Sequence, residues 1–272
     1  MTTLSRSQAA QIGKETVGFL RAGKYTNPAG RDVDLRPHLV AAVAGTVSYP
    51  PDVPLPAVVP GGRMTTFAVV NETTLDAARR FAAEGFRPVA LNFASAKHAG
   101  GGFLGGARAQ EESLCRASGL FACIEGNPMY DFHSQQGGGF YTNYAIYSPA
   151  VPVFRTDDGE LLPEPYACAF VTAPAVNAGA VDFRQRSRIP GEMERRVAKV
   201  LAIMAGHGHD AVVLGAWGCG VFKNDPEVVA DLFRDALAAR FYGVFARVVF
   251  AVVDWSDDQH FIGPFAARFG AA

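Results

Sequence analysis

The sequence predicts one α/β domain, a three-layer α-β-α sandwich with an N-terminal helical and irregular extension. Short runs that are apolar at every position, as in strands covered on both faces, alternate with amphipathic segments at helical spacing. No linker-like or repeated segment divides the 272 residues. The expected organisation is an extension over 1–64 packed on a core over 65–272.

Taken in order, 5–22 reads as a helix, with Ile12, Val17, Phe19 and Leu20 at helical spacing. The stretch 25–63 is rich in Pro and Gly and reads as irregular structure with one short strand at most. A strand over 65–70, an amphipathic helix over 73–84 (Leu75, Ala78, Phe81) and a strand over 87–93 follow. A glycine loop leads to a helix over 107–118, and 125–144 reads as polar and irregular. The run 145–154 follows without an assigned element, and strands are expected over 166–172, 210–214 and 246–253. Helices are expected over 190–207 and 226–241, the latter opened by a proline in its first turn.

Composition excludes several classes. With 25 basic and 26 acidic side chains the formal charge is -1, so a broad basic face for nucleic acid is not expected. No run approaches the ~20 apolar residues of a membrane helix, and the first six residues lack the apolar centre of a leader, so a cytoplasmic, monomeric protein is expected. Cys115, Cys123, Cys168 and Cys219 show no CxxC spacing and read as buried thiols in a reducing compartment rather than zinc ligands. Glycine, at 29 residues, is in excess, and eleven of the 29 fall at 100–102 with 105–106, at 137–139, and at 215, 218 and 220.

The first cluster starts seven residues after Phe93, at the carboxyl end of a buried strand, where α/β sheets bind ligands. Gly100, Gly101 and Gly102 allow backbone to follow a ligand, and amides along such a loop can surround anionic oxygens. Gly100, Gly102 and Gly105 match the spacing of a dinucleotide fingerprint, but the first glycine stands too far from the strand and Gln110-Glu111-Glu112 would face the phosphate with two negative charges. No nicotinamide cofactor, and no cofactor of any kind, is expected. Glu111 and Glu112 are adjacent on the first turn of a helix, about 100° apart, so they are suited to different tasks. One could protonate a leaving group and the other orient a sugar; the plain reading is a solvated pair favoured by the helix dipole.

The second loop, Gly215 to Asp225, again joins a buried strand to a helix. Its small residues permit close approach to phosphate ahead of Pro226, though no Gly-Lys-Ser/Thr ends it. Phe222 reads either as a platform for a ribose or as a core side chain, and Trp217 as core packing. His98 reads as a surface loop residue; His133, in the polar segment before the 137–139 glycines, is compatible with a flap but is given no role.

A GGG loop, a seven-residue spacer and Gln-Glu-Glu (Gly100 to Gly102, then Gln110-Glu111-Glu112) resemble the signature of poly(ADP-ribose) glycohydrolases. Gly215 to Phe222 resembles that family's diphosphate loop. The opening helix, 145–155 and 172–177 resemble its compact bacterial branch, so the likeness spans nearly the whole chain. It implies a macrodomain fold with a mixed sheet. It implies hydrolysis of the ribose–ribose bonds of poly(ADP-ribose), releasing ADP-ribose, with Glu112 as general acid and Glu111 holding ribose hydroxyls.

The same resemblance places Gly100, Gly101 and Gly102 near the distal ribose and diphosphate, and Asn92 and Gln110 among the substrate-binding residues. It places Gly218, Cys219, Gly220, Val221 and Phe222 at the diphosphate, with Phe222 against the ribose. By macrodomain analogy, Asn71, Glu72 and Thr73 approach the adenine. The implied partners are poly(ADP-ribose), ADP-ribose and ADP-ribosylated proteins; no metal is implied. A non-hydrolytic ADP-ribose reader, or a hydrolase of a mono-ADP-ribosyl linkage, are the competing readings, and a reader has no need of Glu112. The segment 261–269 is a candidate cap over the pocket.

Overall fold

The computed structural model describes residues 4–270. Residues 1–3, half of the stretch read for a leader, lie outside the described residues. Helix α1 (Arg6–Ala22) opens on a capping box, in which the Ser5 hydroxyl accepts from the Gln8 amide and the Gln8 side chain accepts from the Ser5 amide. Its buried face is made of small residues, Ala9, Gly13 and Thr16, so it lies close against its neighbours. The Thr16 hydroxyl donates to the carbonyl of Arg116 at 2.6 Å, tying α1 to the glutamate-bearing helix.

The stretch 25–63 is more ordered than its composition suggests. It holds β1 (Lys24–Thr26) and β2 (Asp32–Asp34) as a hairpin, α2 (Arg36–Ala44) and β3 (Val47–Tyr49). Pro37 in the first turn of α2 and Gly45 beyond its end are start and stop signals, not breakers. Next come β4 (Thr66–Val70), α3 (Thr74–Ala83) and β5 (Pro88–Phe93). Helix α4 (Gln110–Ala117) starts three residues later than expected, because 107–109 still belong to the loop.

The segment 125–144 is likewise not all irregular. After α5 (Leu120–Ile124) it contains α6 (Pro128–Ser134), capped by Asn127, whose side chain accepts from the Met129 amide at 3.0 Å. The remainder is β6 (Ala145–Arg155), β7 (Leu161–Ala173), α7 (Ile189–Gly206), β8 (Ala211–Leu214), α8 (Pro226–Ala238), β9 (Arg247–Ala251) and α9 (Ile262–Phe269).

The main sheet has seven strands in the order β3-β6-β7-β5-β8-β9-β4. It is mixed: β7, β5, β8, β9 and β4 run parallel, while β6 is antiparallel to both β7 and β3. The N-terminal extension therefore supplies an edge strand to the core sheet. Period two sorts the central strands between two apolar clusters. Val89, Leu91, Val212, Leu214, Val248 and Phe250 face α7 and α8, whereas Ala90, Val213 and Val249 face α3, α4 and α5. This double burial is why these strands read as apolar throughout. Among the described residues no helix is long and apolar enough to cross a membrane. The parallel strands bring the carboxyl ends of β4, β5, β8 and β9 to one edge, where 71–73, 94–109, 215–225 and 252–261 converge.

Candidate active site

Glu111 and Glu112 open α4 and are both buried, with 3% and 9% of their surfaces exposed, so they are not the solvated pair of the plain reading. Adjacent helical side chains diverge, yet the 94–109 loop folds back so that both meet Gly101. Gly101 has φ +57, and a Cβ there would lie 3.2 Å from Glu111 Oε2 and 3.0 Å from Glu112 Cδ while overlapping Glu112 Oε1. Only glycine fits.

Glu112 Oε1 accepts from the Gly102 amide at 3.0 Å. Glu111 Oε2 accepts from the Ser95 amide at 2.7 Å, and its Oε1 from Asn92 Nδ2 at 3.4 Å. Burial pushes the Glu111 carboxyl up to about 8, and the neighbouring Glu112 carboxylate adds to the rise. Glu111 therefore retains its proton at neutral pH.

The residues around the pair are engaged differently from expectation. Gln110 acts as a clamp: its Nε2 donates to Leu91 O (2.8 Å) and Thr74 Oγ1 (3.1 Å), and its Oε1 accepts from the Phe93 amide (2.9 Å). It pins the first turn of α4 to the end of β5. Asn92 is fully buried and bridges Glu111 to the Thr172 hydroxyl (3.1 Å), with its Oδ1 unpartnered. The amides of Gly101 and Gly102 are taken by His98 O and Glu112, so this loop presents the carboxylates rather than an amide cradle. His98 is on the surface. His133 is buried in α6, not carried on a flap.

The second loop is tied at its base and open at its tip. Trp217 is core, its Nε1 donating to Ala173 O at 3.2 Å. Gly218 has φ +75 and is wedged against Ala175 and Asn224, while the Asn224 amide and side chain both return to Gly218 O at 3.0 Å. Cys219 is buried, its thiol pushed up to about 12 by burial, so it contributes backbone rather than a reactive sulfur. Among the described residues the amides of Gly218, Gly220, Val221 and Phe222 donate to no protein acceptor. Gly220 and Val221 are exposed, and the half-buried Phe222 ring stands 6.3 Å from that of Tyr141.

Between these loops and the end of β4 runs a cleft of about 620 Å³. Glu72, Thr73, Gln110 and Gly220 line it, together with Phe93, Trp255 and Phe261. Glu72 is held by Arg80 at 2.7–3.0 Å, and Thr73 caps α3 by accepting from the Asp76 amide at 3.0 Å. Asn71 bonds both ways to the backbone of Asp254 (2.6 and 3.1 Å).

Sequence reasoning missed Asp254, which organises this wall. Its carboxylate accepts from the amides of Ser256, Phe261 and Ile262. Burial opposes ionisation, yet these bonds and one from the Ser256 hydroxyl hold the carboxyl down to about 2. They carry Trp255 and Phe261 to the cleft. The Asp-x-Ser spacing, which favours a local side-chain turn, was the available signal. Phe261 lines the cleft, while Phe265 of α9 is in the core. No three His, Cys, Asp or Glu side chains among the described residues are grouped as metal ligands.

The model for the catalytic domain of microbial-type poly(ADP-ribose) glycohydrolase (PARG) matches residues 13–156, more than half of the chain and inclusive of the glutamate pair. The chain belongs to the microbial-type PARG family. It is similar to the crystal structure of PARG from Thermomonospora curvata, at 47% identity over 97% of this chain and 100% of that one, with a TM-score of 0.92. The same enzyme bound to the inhibitor ADP-HPD matches at 45% identity over the same shares, with a TM-score of 0.89. PARG from Deinococcus radiodurans in complex with ADP-ribose matches at 41% identity over 85% of this chain and 97% of that one, with a TM-score of 0.80. No curated protein sequence matches the chain. The mixed seven-stranded sheet with flanking helices is thus the PARG fold, and the expected macrodomain-like sandwich is borne out.

Proposed function

We propose that this protein hydrolyses the ribose–ribose O-glycosidic bonds of poly(ADP-ribose), releasing ADP-ribose, with Glu112 as general acid and base. The observation that carries the reading is the buried Glu111–Glu112 pair beside a cleft and a loop of free amides. Membership of the PARG family and the likeness to relatives bound to ADP-HPD and ADP-ribose support the substrate class.

In this reading the diphosphate is held by the free amides of Gly218, Gly220, Val221 and Phe222. The adenine lies toward Glu72 and Thr73, and Phe222 supports the distal ribose. Asn92 and Ser95 fix Glu111 on the ribose hydroxyls. Gly100, Gly101, Gly102 and Gln110 act mainly by placing the two carboxylates. Cleavage breaks the bond between the anomeric carbon and the departing sugar oxygen while Glu112 delivers the proton to that oxygen. The oxocarbenium-like centre is then met by water, whose proton returns to Glu112 as the carbon gains a hydroxyl. ADP-ribosylated proteins are the natural carriers of such a polymer.

Incubation with labelled polymer should release ADP-ribose. Glu112→Gln should lower kcat by on the order of 10²–10⁴ while calorimetry still shows ADP-ribose binding. Tight ADP-ribose binding by a wild-type protein inert towards polymer would sink the enzymatic reading and leave a reader.

A further inference from the structure

The 137–139 glycines lead into a backbone conformation that the chemistry above does not require. Four non-glycine residues among those described have positive φ, and two of them, Tyr141 (φ +52) and Lys223 (φ +58), lie beside Phe222. A bulky aromatic residue in the left-handed region is a genuine outlier, and such strain persists only where the surroundings over-determine it.

They do so here from below. The Gly139 carbonyl accepts from the Asn177 amide at 2.8 Å. Arg196, with 2% of its surface exposed, donates to the carbonyls of Phe140 and, at 3.2 Å, Thr142. Buried His133 bonds the Thr142 hydroxyl at 2.7 Å and accepts from its amide at 3.2 Å. These bonds grip the backbone on both sides of Tyr141 and none involves its side chain. The ring is left half-exposed, 6.3 Å from Phe222 and 5.8 Å from His133.

Position indicates what such a ring would meet. Tyr141 and Phe222, like Glu111 and Glu112, do not line the 620 Å³ cleft. Phe222 is set against the reacting ribose in the proposed function, and the Tyr141 ring stands beside it, 6.3 Å away. The oxygen that leaves in poly(ADP-ribose) cleavage belongs to an adenosine ribose, so the group just beyond the scissile bond carries a purine. Stacking on an aromatic side chain is the general way proteins hold a base without reading its edges.

We propose that Tyr141 contacts substrate on the leaving side of the scissile bond, its ring stacking on the adenosine of the departing unit. The proposal rests on polymer hydrolysis as the reaction. Wild-type inertness towards polymer would therefore condemn that reading, whereas the variants below test Tyr141 alone.

Tyr141→Phe should keep kcat/KM on polymer within about twofold of wild type. Tyr141→Asn, which tolerates left-handed backbone, should lose roughly ten- to a hundredfold in kcat/KM, the range that removal of one stacked base implies. ADP-ribose affinity, which reports the terminal unit and an intact fold, should stay within about twofold in both variants. An ADP-ribose affinity that falls in step with kcat/KM would overturn the proposal by placing the ring on the terminal unit. Unchanged polymer kinetics in Tyr141→Asn, with or without a lower Tm, would reduce Tyr141 to a structural residue.

Discussion

Two glycine-rich loops leave the same edge of the sheet, and they use glycine in opposite ways. In 94–109 the amides of Gly101, Gly102, Phe103, Gly105, Gly106 and Ala107 all have acceptors within the loop or on Glu112. This loop is a mould for two carboxylates. In 215–225 only the base is filled, by Gly218 against Ala175 and Asn224, while the amides of Gly220, Val221 and Phe222 stay unpartnered among the described residues. That loop keeps donors free for a ligand, as the proposed diphosphate site requires. Composition is alike in the two; what differs is whether the donors already have acceptors, and a donor can serve a ligand only if it does not.

The sharpest way to break this contrast is Gly101→Ala. The new Cβ would displace both glutamate side chains in a left-handed position, so kcat on polymer should fall by at least about 10² and stability by roughly 1–2 kcal/mol. Normal turnover in that variant would show that the loop does not mould the pair.

Glu111 gives the next largest effect. Its carboxyl is raised from 4.5 to about 8 on folding, chiefly by burial. Between those values the folded state binds more protons than the unfolded one, so this group's stabilisation is complete below 4.5 and is lost as pH rises through about 8. At ~1.4 kcal/mol per unit the change amounts to a few kcal/mol. Glu111→Gln should accordingly flatten the fall in Tm between pH 5 and 8 and raise Tm at the alkaline end. A wild-type Tm with the same pH slope as the variant would contradict the assigned shift.

Gly218→Ala should cost about 1–3 kcal/mol, because the base of the second loop is packed and left-handed. Chemical denaturation measures it directly. Gly220→Ala should be the quietest change, within about 0.5 kcal/mol, since nothing lies within 4 Å of the added carbon. If the two alanines proved equally costly, the division of that loop into a filled base and an open tip would not hold.

The legible parts of the fold were those where burial leaves a periodic trace. Strands β5, β8 and β9 are covered on both faces and helix α3 on one, and each has the pattern expected of it. Helices α2 and α6 were missed because Pro37 and Pro128 sit in first turns, where a residue without an amide proton removes no helical hydrogen bond. The same feature was recognised at Pro226, where a longer amphipathic run follows. At the site, Glu111, Glu112 and the two glycine loops were legible as motifs. Arg196 was not, since it acts through backbone groups more than fifty residues away. Asp254 left only the short Asp-x-Ser signal, because its other partners, the Phe261 and Ile262 amides, are backbone groups that almost any residue type supplies.

By itself the sequence determined the α/β class, the family and the candidate residues for the chemistry, because apolar periodicity and short spacings are local properties of a chain. Only the tertiary structure decided what each of those residues does. Gln110 became a clamp and Gly101 a mould, Gly102 gave its amide to Glu112, and Gly220 was left with a free one. The physical reason is that a polar group's role depends on which partners reach it and how much water remains, and the folded chain alone sets both.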